Sequence, residues 1–455
     1  MQQNEAEPRP AHSHEEEPYP SPVYAWYVVG VLMIVYVLSF VDRQILSLIV
    51  GPVKKDLGVN DTQMGLLMGF SFAMFYSILG VPFGWLADQK SRRSIIAVGV
   101  AVWSFMTAAC VIARQFWQLF LLRVGVGIGE AALSPAAYSL ITDYFPRHRL
   151  ATAISVYGMG IYIGSGLAFL LGGVVVGFTA KSGPIMWPIF GEIRPWQLVF
   201  FVVGAPGLLI AALVYTIREP LRRGMKSLGP NSQVSFPQFM RYVNQNAAAV
   251  WCHHLGFALL AFLGYATISW VAEFFKRVHG WTVQDIAFSY GFAIMIFGAA
   301  GITSGGMLAD WLSRKGYRDA KVRTGLIAAL LSLPLSIAFP LIPNGTLAMA
   351  MVCPLAFANA LPFGAAPAAM QEMMPANMRG QAGAFYLLVV NLISIGCAAT
   401  TVGFLNDKIF PEPTGIAKSL IVVGVVSTVG AAIFLYCGLK PFVRSLDRLK
   451  QSEGR

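Results

Sequence analysis

The chain has 455 residues, of which 56% are hydrophobic and only 12% charged, and its formal net charge is +11. Soluble domains carry about 25% charged residues, so the composition excludes an ordinary water-soluble protein. A net positive charge could suggest nucleic acid, but the basic residues are biased to one side of the membrane-spanning pattern set out below, which argues otherwise.

Residues 1–24 are polar, acidic at "HEEEPYP" and rich in Pro. They lack the basic start of a signal peptide and read as a disordered cytoplasmic tail, with His12 and His14 as tail residues and not metal ligands. Twelve apolar runs follow, at roughly 25–50, 62–87, 94–113, 117–141, 150–178, 196–217, 247–272, 286–311, 323–342, 346–371, 382–405 and 415–438. Runs of this length read as membrane-spanning helices, whereas a barrel would alternate apolar and polar residues in shorter strands. The longest polar segment between runs, 218–246, begins "REPLRRGMKSLGP". It divides the chain into a six-helix bundle at 25–217, a cytoplasmic linker at 218–246, a second bundle at 247–438 and a cytoplasmic tail at 439–455. With both termini inside, 22 of the 33 Lys and Arg fall in cytoplasmic segments, 9 in outer loops, and Arg43 and Arg123 in spans. That is the bias of the positive-inside rule. The expectation is an all-α, multi-pass integral membrane protein with both termini cytoplasmic, in the inner membrane if the source is bacterial.

Five cysteines (Cys110, Cys252, Cys353, Cys397 and Cys437) lie in or at the ends of these runs without metal-ligand spacing. Neither a disulfide framework nor a metal site is expected. "GVGIG" at 125–129 has no strand before it and is not a nucleotide loop, so neither an enzyme nor an ATP-driven pump is expected, and no cofactor.

"GWLADQKSRR" (84–93) joins the second and third runs, and "GGMLADWLSRKG" (305–316) joins the eighth and ninth. Gly84 matches Gly306, Asp88 matches Asp310, Arg92 matches Arg314 and Arg93 matches Lys315. Two similar six-helix halves are the pattern of a secondary transporter whose halves rock about a central site. Gly84 would allow close helix approach. Asp88 and Asp310 would accept from N–H groups at a neighbouring helix start. Arg92, Arg93 and Arg314 would hold the turns at the cytoplasmic face. "DYFPRHR" (143–149) and "EMMPANMR" (372–379) repeat a second element, in which Asp143 and Arg149 are candidates to meet the first turn. The doubled turn resembles motif A of the major facilitator superfamily, and the likeness extends over about residues 25–440. It implies two six-helix bundles and alternating access, with these residues as a conformational latch.

Four charges lie inside spans: Asp42 and Arg43 in the first, Arg123 and Glu130 in the fourth. Each costs about 2.5–3.5 kcal/mol to insert, so such residues face a cavity or one another. At about 1.5 Å per residue, Asp42 and Arg123 sit at similar depth and are expected to pair, with Glu130 about two turns below Arg123 on the same face. The second half puts Val352 and Asn359 where the first has Arg123 and Glu130, so the charge is not duplicated. "FVDRQ" (40–44) and "RVGVGIGEAALSPAAYSLITDYFP" (123–146) resemble the spinster family within the superfamily. That resemblance implies lysolipid-type substrates, Glu130 and Asp42 as proton-coupling acids, and Arg43 and Arg123 as their partners or as anion contacts. Organic anion–cation symporters of the same superfamily share the Asp-Arg pair and the Gly-Glu-Ala stretch. "GMGIYIGSGLAFLLGG" (158–173) carries Ser165-Gly166 where the antiporter motif has a Gly-Pro step.

Tyr157, Tyr162, Asn359, Asn391 and Tyr386 are polar groups able to line a cavity. His253 and His254 are expected at the cytoplasmic edge of the seventh span, and Glu273 at an outer helix end, solvated beside Lys276 and Arg277. The leading expectation is a monomeric, proton-coupled secondary active transporter of an amphipathic anion, a lysophospholipid or sphingosine-phosphate-like lipid. Its partners would be that lipid or small-molecule substrate, protons and the bilayer. A proton symporter of small organic or sugar acids is the alternative. An uncoupled lipid channel, scramblase or membrane sensor is the alternative of another class.

Overall fold

The computed structural model describes residues 19–188, 191–220 and 234–453. Among them, twelve helices are long and apolar enough to cross a membrane. Numbered as spans in chain order they are 1, Pro22–Leu48; 2, Asp61–Gly80; 3, Arg92–Ile112; 4, Phe116–Tyr144; 5, Thr152–Lys181; 6, Pro195–Val214; 7, Ala247–His279; 8, Val283–Arg314; 9, Ala320–Leu341; 10, Gly345–Glu372; 11, Arg379–Ile409; and 12, Pro413–Gln451. In lipid each backbone N–H and C=O must be satisfied inside its own segment, which forces apolar runs into helices. Polar residues set their starts. Asn60 and Gln63 close a capping box at span 2, Ser91 accepts from the Ser94 N–H at span 3, and Asn344 accepts from the Leu347 N–H at span 10. Each occupies an N–H that the helix itself leaves open.

Twelve crossings put both chain ends on one face, called here the terminal face; the opposite one is the far face. Two segments differ from the sequence expectation. The helix of span 12 runs unbroken from Ile416 to Glu453, so residues 439–453 continue it as helix. Its extension has an apolar side, with Phe442 and Leu449 buried. Within the linker, Phe236–Gln245 forms a helix that buries Phe239 and Val243, four residues apart and so on one face. It docks on the second half: the Tyr242 hydroxyl donates to the Met373 carbonyl at 2.7 Å, and Arg448 donates to the Gln245 carbonyl at 2.9 Å. Linker residues 221–233 and tail residues 1–18 lie outside the described residues.

The duplication extends to irregularities. Span 4 is two helices, Phe116–Glu130 and Leu133–Tyr144, and span 10 is Gly345–Ala360 and Pro362–Glu372. Pro135 and Pro362 each lack the N–H that would continue the ladder. Spans 2 and 8 each contain a π-helical turn, Leu66–Phe70 and Ile294–Gly298. Such turns recur at functional sites.

The halves meet where span 2 lies on span 11 and span 5 on span 8. A Cβ added at Gly65 would lie 2.5 Å from the Ala399 carbonyl oxygen, and one at Gly173 would lie 2.4 Å from the Ala287 Cβ. Both contacts fall at the far ends of their helices, and an apolar cluster joins the halves there, from Ile45, Leu67 and Phe169 to Phe274, Tyr290 and Val402. Toward the terminal face, a Cβ added at Gly158, Gly364 or Gly380 would meet nothing within 4 Å. The seal between the halves is therefore at the far face.

Candidate functional site

Span 1 brings Asp42 and Arg43 to the middle of the first half, and neighbouring helical residues point about 100° apart. Arg43 turns toward span 4, where its Nε and Nη2 both lie 2.6 Å from Glu130 Oε2. The pair is buried, with side-chain exposures of 9% and 0%. Glu130 ends the first helix of span 4, where the helix dipole disfavours a carboxylate; Arg43 offsets that. Asp42 turns the other way, toward Trp103 and Thr107 of span 3. Arg123 therefore does not pair with the Asp42 carboxylate as expected from depth. Its Nη1 donates to the Asp42 backbone carbonyl at 2.9 Å. Both Asp42 carboxylate oxygens, Arg123 Nε and Nη2, Glu130 Oε1 and the Tyr157 hydroxyl are buried and make no well-formed hydrogen bond, with Trp103 and Thr107 the nearest donors to Asp42 and Ser134 the nearest hydroxyl to Tyr157. Depth along a helix was readable from sequence; rotation about it decided the partners.

A pocket opens beside Arg43 between the halves. Arg43, Gln44 and Ser47 of span 1, Met68 and Phe72 of span 2, Tyr265 and Ser269 of span 7 and Ile395 of span 11 line it. Tyr157 stacks on Tyr36 at 4.7 Å, at the first-half side of this group. Tyr162 crosses toward Gly298 and Phe363 of the second half. Asn359 lies elsewhere, accepting from Ser332 at 3.3 Å inside the second half, and Asn391 is half-buried on span 11.

At the terminal face Arg92 is 1% exposed. It forms ion pairs with Asp143 at the end of span 4 and, at 2.8 Å, with Glu219 after span 6. Glu219 also accepts from the Ser91 hydroxyl at 2.9 Å and the Arg93 N–H at 3.0 Å. Arg93 donates to the Ile217 carbonyl at 3.1 Å. Partial burial alone would raise the Glu219 carboxyl; the Arg92 guanidinium and the other donors outweigh it and hold it below the usual glutamate range. Arg149 is exposed without an ion pair among the described residues, and the Asp88 side chain lies outside them. A Cβ at Gly84 would meet Pro135 at an ordinary 3.8 Å, so the close approach expected there is absent in this state.

The second half builds this clasp from other residues than the doubled turn indicated. Asp310 and Arg314 are exposed. Lys321 pairs with Glu372, and Arg318 with Asp447 at 2.6 Å. Arg92–Asp143 and Lys321–Glu372 are each 51 residues apart, and 321 follows 92 by the same interval as 372 follows 143. Lys321, not Arg314, is the structural counterpart of Arg92, because the second turn carries seven extra residues before span 9.

The far face holds a charged lock that the sequence did not reveal. Asp61, at the start of span 2, accepts from Arg277 Nη1 of span 7 at 2.6 Å, from Lys54 and from Asn406 at 2.9 Å. Asp407 reaches across to accept from the N–H groups of Asp61 and Thr62 at 3.1 and 2.7 Å. Glu273 is buried, not solvated as expected, and pairs with Arg277 at 2.9 Å and Lys276 at 3.2 Å. His253 and His254, near the start of span 7, are likewise buried inside the second half: His253 Nε2 lies 2.9 Å from the Ala366 carbonyl, and both rings pack against Tyr386. The Tyr and Phe residues around them supply the cover that an isolated helix end would lack.

Two six-helix halves, sealed on one face over a buried charge pair and a pocket, define a membrane transporter. Comparison with known proteins agrees. Residues 32–399 match the Major Facilitator Superfamily. A bacterial homologue of the human lysosomal transporter spinster, solved in an inward-facing, unoccupied conformation, superposes with a TM-score of 0.78. It is 31% identical, over 94% of this chain and 99% of that one. An MFS-type efflux pump of Mycolicibacterium smegmatis is 28% identical over 434 residues, 91% of this chain and 92% of that protein. A probable L-galactonate transporter of Escherichia coli is 24% identical over 429 residues, 89% of this chain and 87% of that protein. The chain belongs to the major facilitator superfamily and is spinster-like within it.

Proposed function

We propose that this transporter moves an amphipathic anion of the lysophospholipid or sphingosine-phosphate type, coupled to protons, through alternating access. The observation that carries this reading is the buried Arg43–Glu130 pair at the edge of the pocket. A guanidinium fork suits a phosphate or carboxylate, and a carboxylate in that place suits a proton. Protonating Glu130 releases Arg43 to the anion, so the two ligands exchange at one pair. Asp42, a buried carboxylate facing Trp103 and Thr107, is the second acid of the relay. Arg123 organises the group through the span 1 backbone. The terminal face is read as cytoplasmic from the placement of the basic residues, which makes this state inward-facing. The clasp around Arg92 and the lock around Asp61 are the elements that must hold or release as the halves rock.

The second reading is proton symport of a sugar acid, and the galactonate-transporter relative favours it. The test is uptake of lysophosphatidic acid and of galactonate into proteoliposomes with and without a pH gradient. Gradient-driven movement of the lipid, lost in Glu130→Gln while exchange of lipid without net proton flow survives, is the expected result. Gradient-driven galactonate uptake without lipid movement would replace the first reading by the second. Lipid equilibration indifferent to the gradient in the parent protein would defeat both.

A further inference from the structure

Arg43 is held by more than Glu130. Its Cζ lies 5.0 Å from the centre of the Phe40 ring, 4.5 Å from Phe72 and 4.8 Å from Tyr76. Phe40 precedes Arg43 by three residues and so shares its helix face. Phe72 and Tyr76, four apart on span 2, stack at 5.0 Å and form a wall beside them. Span 2 is wedged against span 4 at this level: a Cβ at Gly127 would lie 2.5 Å from the Phe72 carbonyl oxygen. Gly127 is one turn before Glu130, so Phe72 fixes the distance between the carboxylate and the rings.

An arginine at this depth with a single counter-ion faces a problem whenever that counter-ion is neutral. Other charged or titratable groups near it are Asp42 of its own span, Arg123 of span 4, and the hydroxyls of Tyr36, Tyr76, Tyr157 and Tyr265, and its Nη2 donates a long 3.5 Å bond to the Ser39 hydroxyl. None of these is a second carboxylate in contact with the guanidinium, and Arg123 repels it. Ring faces carry negative potential and attract a cation most strongly when water is excluded. We propose that Phe72 and Tyr76, with Phe40, are positioning residues that hold the Arg43 guanidinium in place while its carboxylate partner is exchanged for the substrate anion. The role in exchange rests on the transport reading above; the cage itself does not.

The experiment replaces Phe72 with mono-, di- and trifluorinated phenylalanine, which keeps size and burial while draining the potential of the ring face. Tm of the purified full chain is measured in the parent and in Glu130→Gln, where Arg43 has lost its carboxylate. A graded fall along the series is expected, steeper in Glu130→Gln than in the parent and absent in Arg43→Gln. A flat parent series overturns the proposal and leaves the rings as packing, whether or not Glu130→Gln folds. A fall that persists in Arg43→Gln overturns it as well. Binding of lysophosphatidic acid, used as the probe, is expected to weaken about tenfold across the series. A graded Tm series in a protein whose parent does not bind that probe would sustain the cage and sink the lipid reading alone.

Discussion

Arg92 and Lys321 occupy corresponding places, but their surroundings differ. Arg92 and Asp143 have side-chain exposures of 1% and 8%, Lys321 and Glu372 of 23% and 44%. Removing one member of a buried pair strands the other and costs about 3–5 kcal/mol. Exposed pairs contribute about 0–1 kcal/mol. Arg92→Ala should therefore lower unfolding stability severely and Lys321→Ala hardly at all. Equal losses in denaturant titrations would mean that burial does not separate them. Glu219 adds a pH dependence to the same clasp. Its carboxyl is held below the ordinary glutamate value in the folded chain, so the stabilisation is complete above that value, about 4.3, and drains away as pH falls below it. Tm measured from pH 7 downward should drop less steeply below pH ~4 in Glu219→Gln than in the parent. Parallel curves would remove Glu219 from the account. At this scale the sequence was generous with acids and bases out of place in lipid: Asp42, Arg43, Arg123 and Glu130 could all be singled out. It hid their partners, because a rotation of one residue along a helix redirects a side chain, and no periodicity records how three helices are turned toward each other.

Helix contacts decide which face is shut. At Gly65 any side chain collides with the backbone of Ala399 and Thr400, whereas at Gly158 there is open space. Gly65→Val should thus hold spans 2 and 11 apart and populate the far-open state, with about 1.4 kcal/mol sufficient for a tenfold shift. A cysteine placed at Ser269 in the pocket should label faster from the far side in Gly65→Val, and at the parent rate in Gly158→Val. Parent-rate labelling in a well-folded Gly65→Val would show that this contact does not set the equilibrium. The spans themselves were legible, since lipid allows apolar runs of this length little but helix. The helix at Phe236–Gln245 and the extension of span 12 were not seen, because both are amphipathic and lie outside the apolar runs that mark crossings. Lys321 was obscured for a different reason: the repeated turn drew the alignment to Arg314, and the seven added residues moved the working base downstream.

Across the whole molecule, the two halves are locked by residues that in sequence look like ordinary loop charges. Asp61 and Arg277 are 216 positions apart, and nothing local joins them. Asp61→Asn should loosen the far seal, and the exchange Asp61→Arg with Arg277→Asp should restore part of it. Distances between spin labels on the far ends of spans 2 and 11 would report both. Failure of the exchange to recover any closure would indicate that Lys54 and Asn406 need an acid at 61 in its own right.

Asp407 has a larger consequence. It supplies, from one half, the acceptors for the first amides of a helix in the other. When the far face opens, those amides and the charges of Asp61, Arg277 and Glu273 pass from each other's company to the solution on that side. Dissolved ions then perform the neutralisation that the opposite half performed before. The screening length shrinks from about 30 Å at 0.01 M to about 8 Å at 0.15 M, so salt on the far side stabilises the open gate far more than the shut one. Turnover limited by far-face opening should quicken as salt is added on the far side and ignore salt added on the terminal side. A carrier built this way responds to the saltiness of the compartment it is about to face.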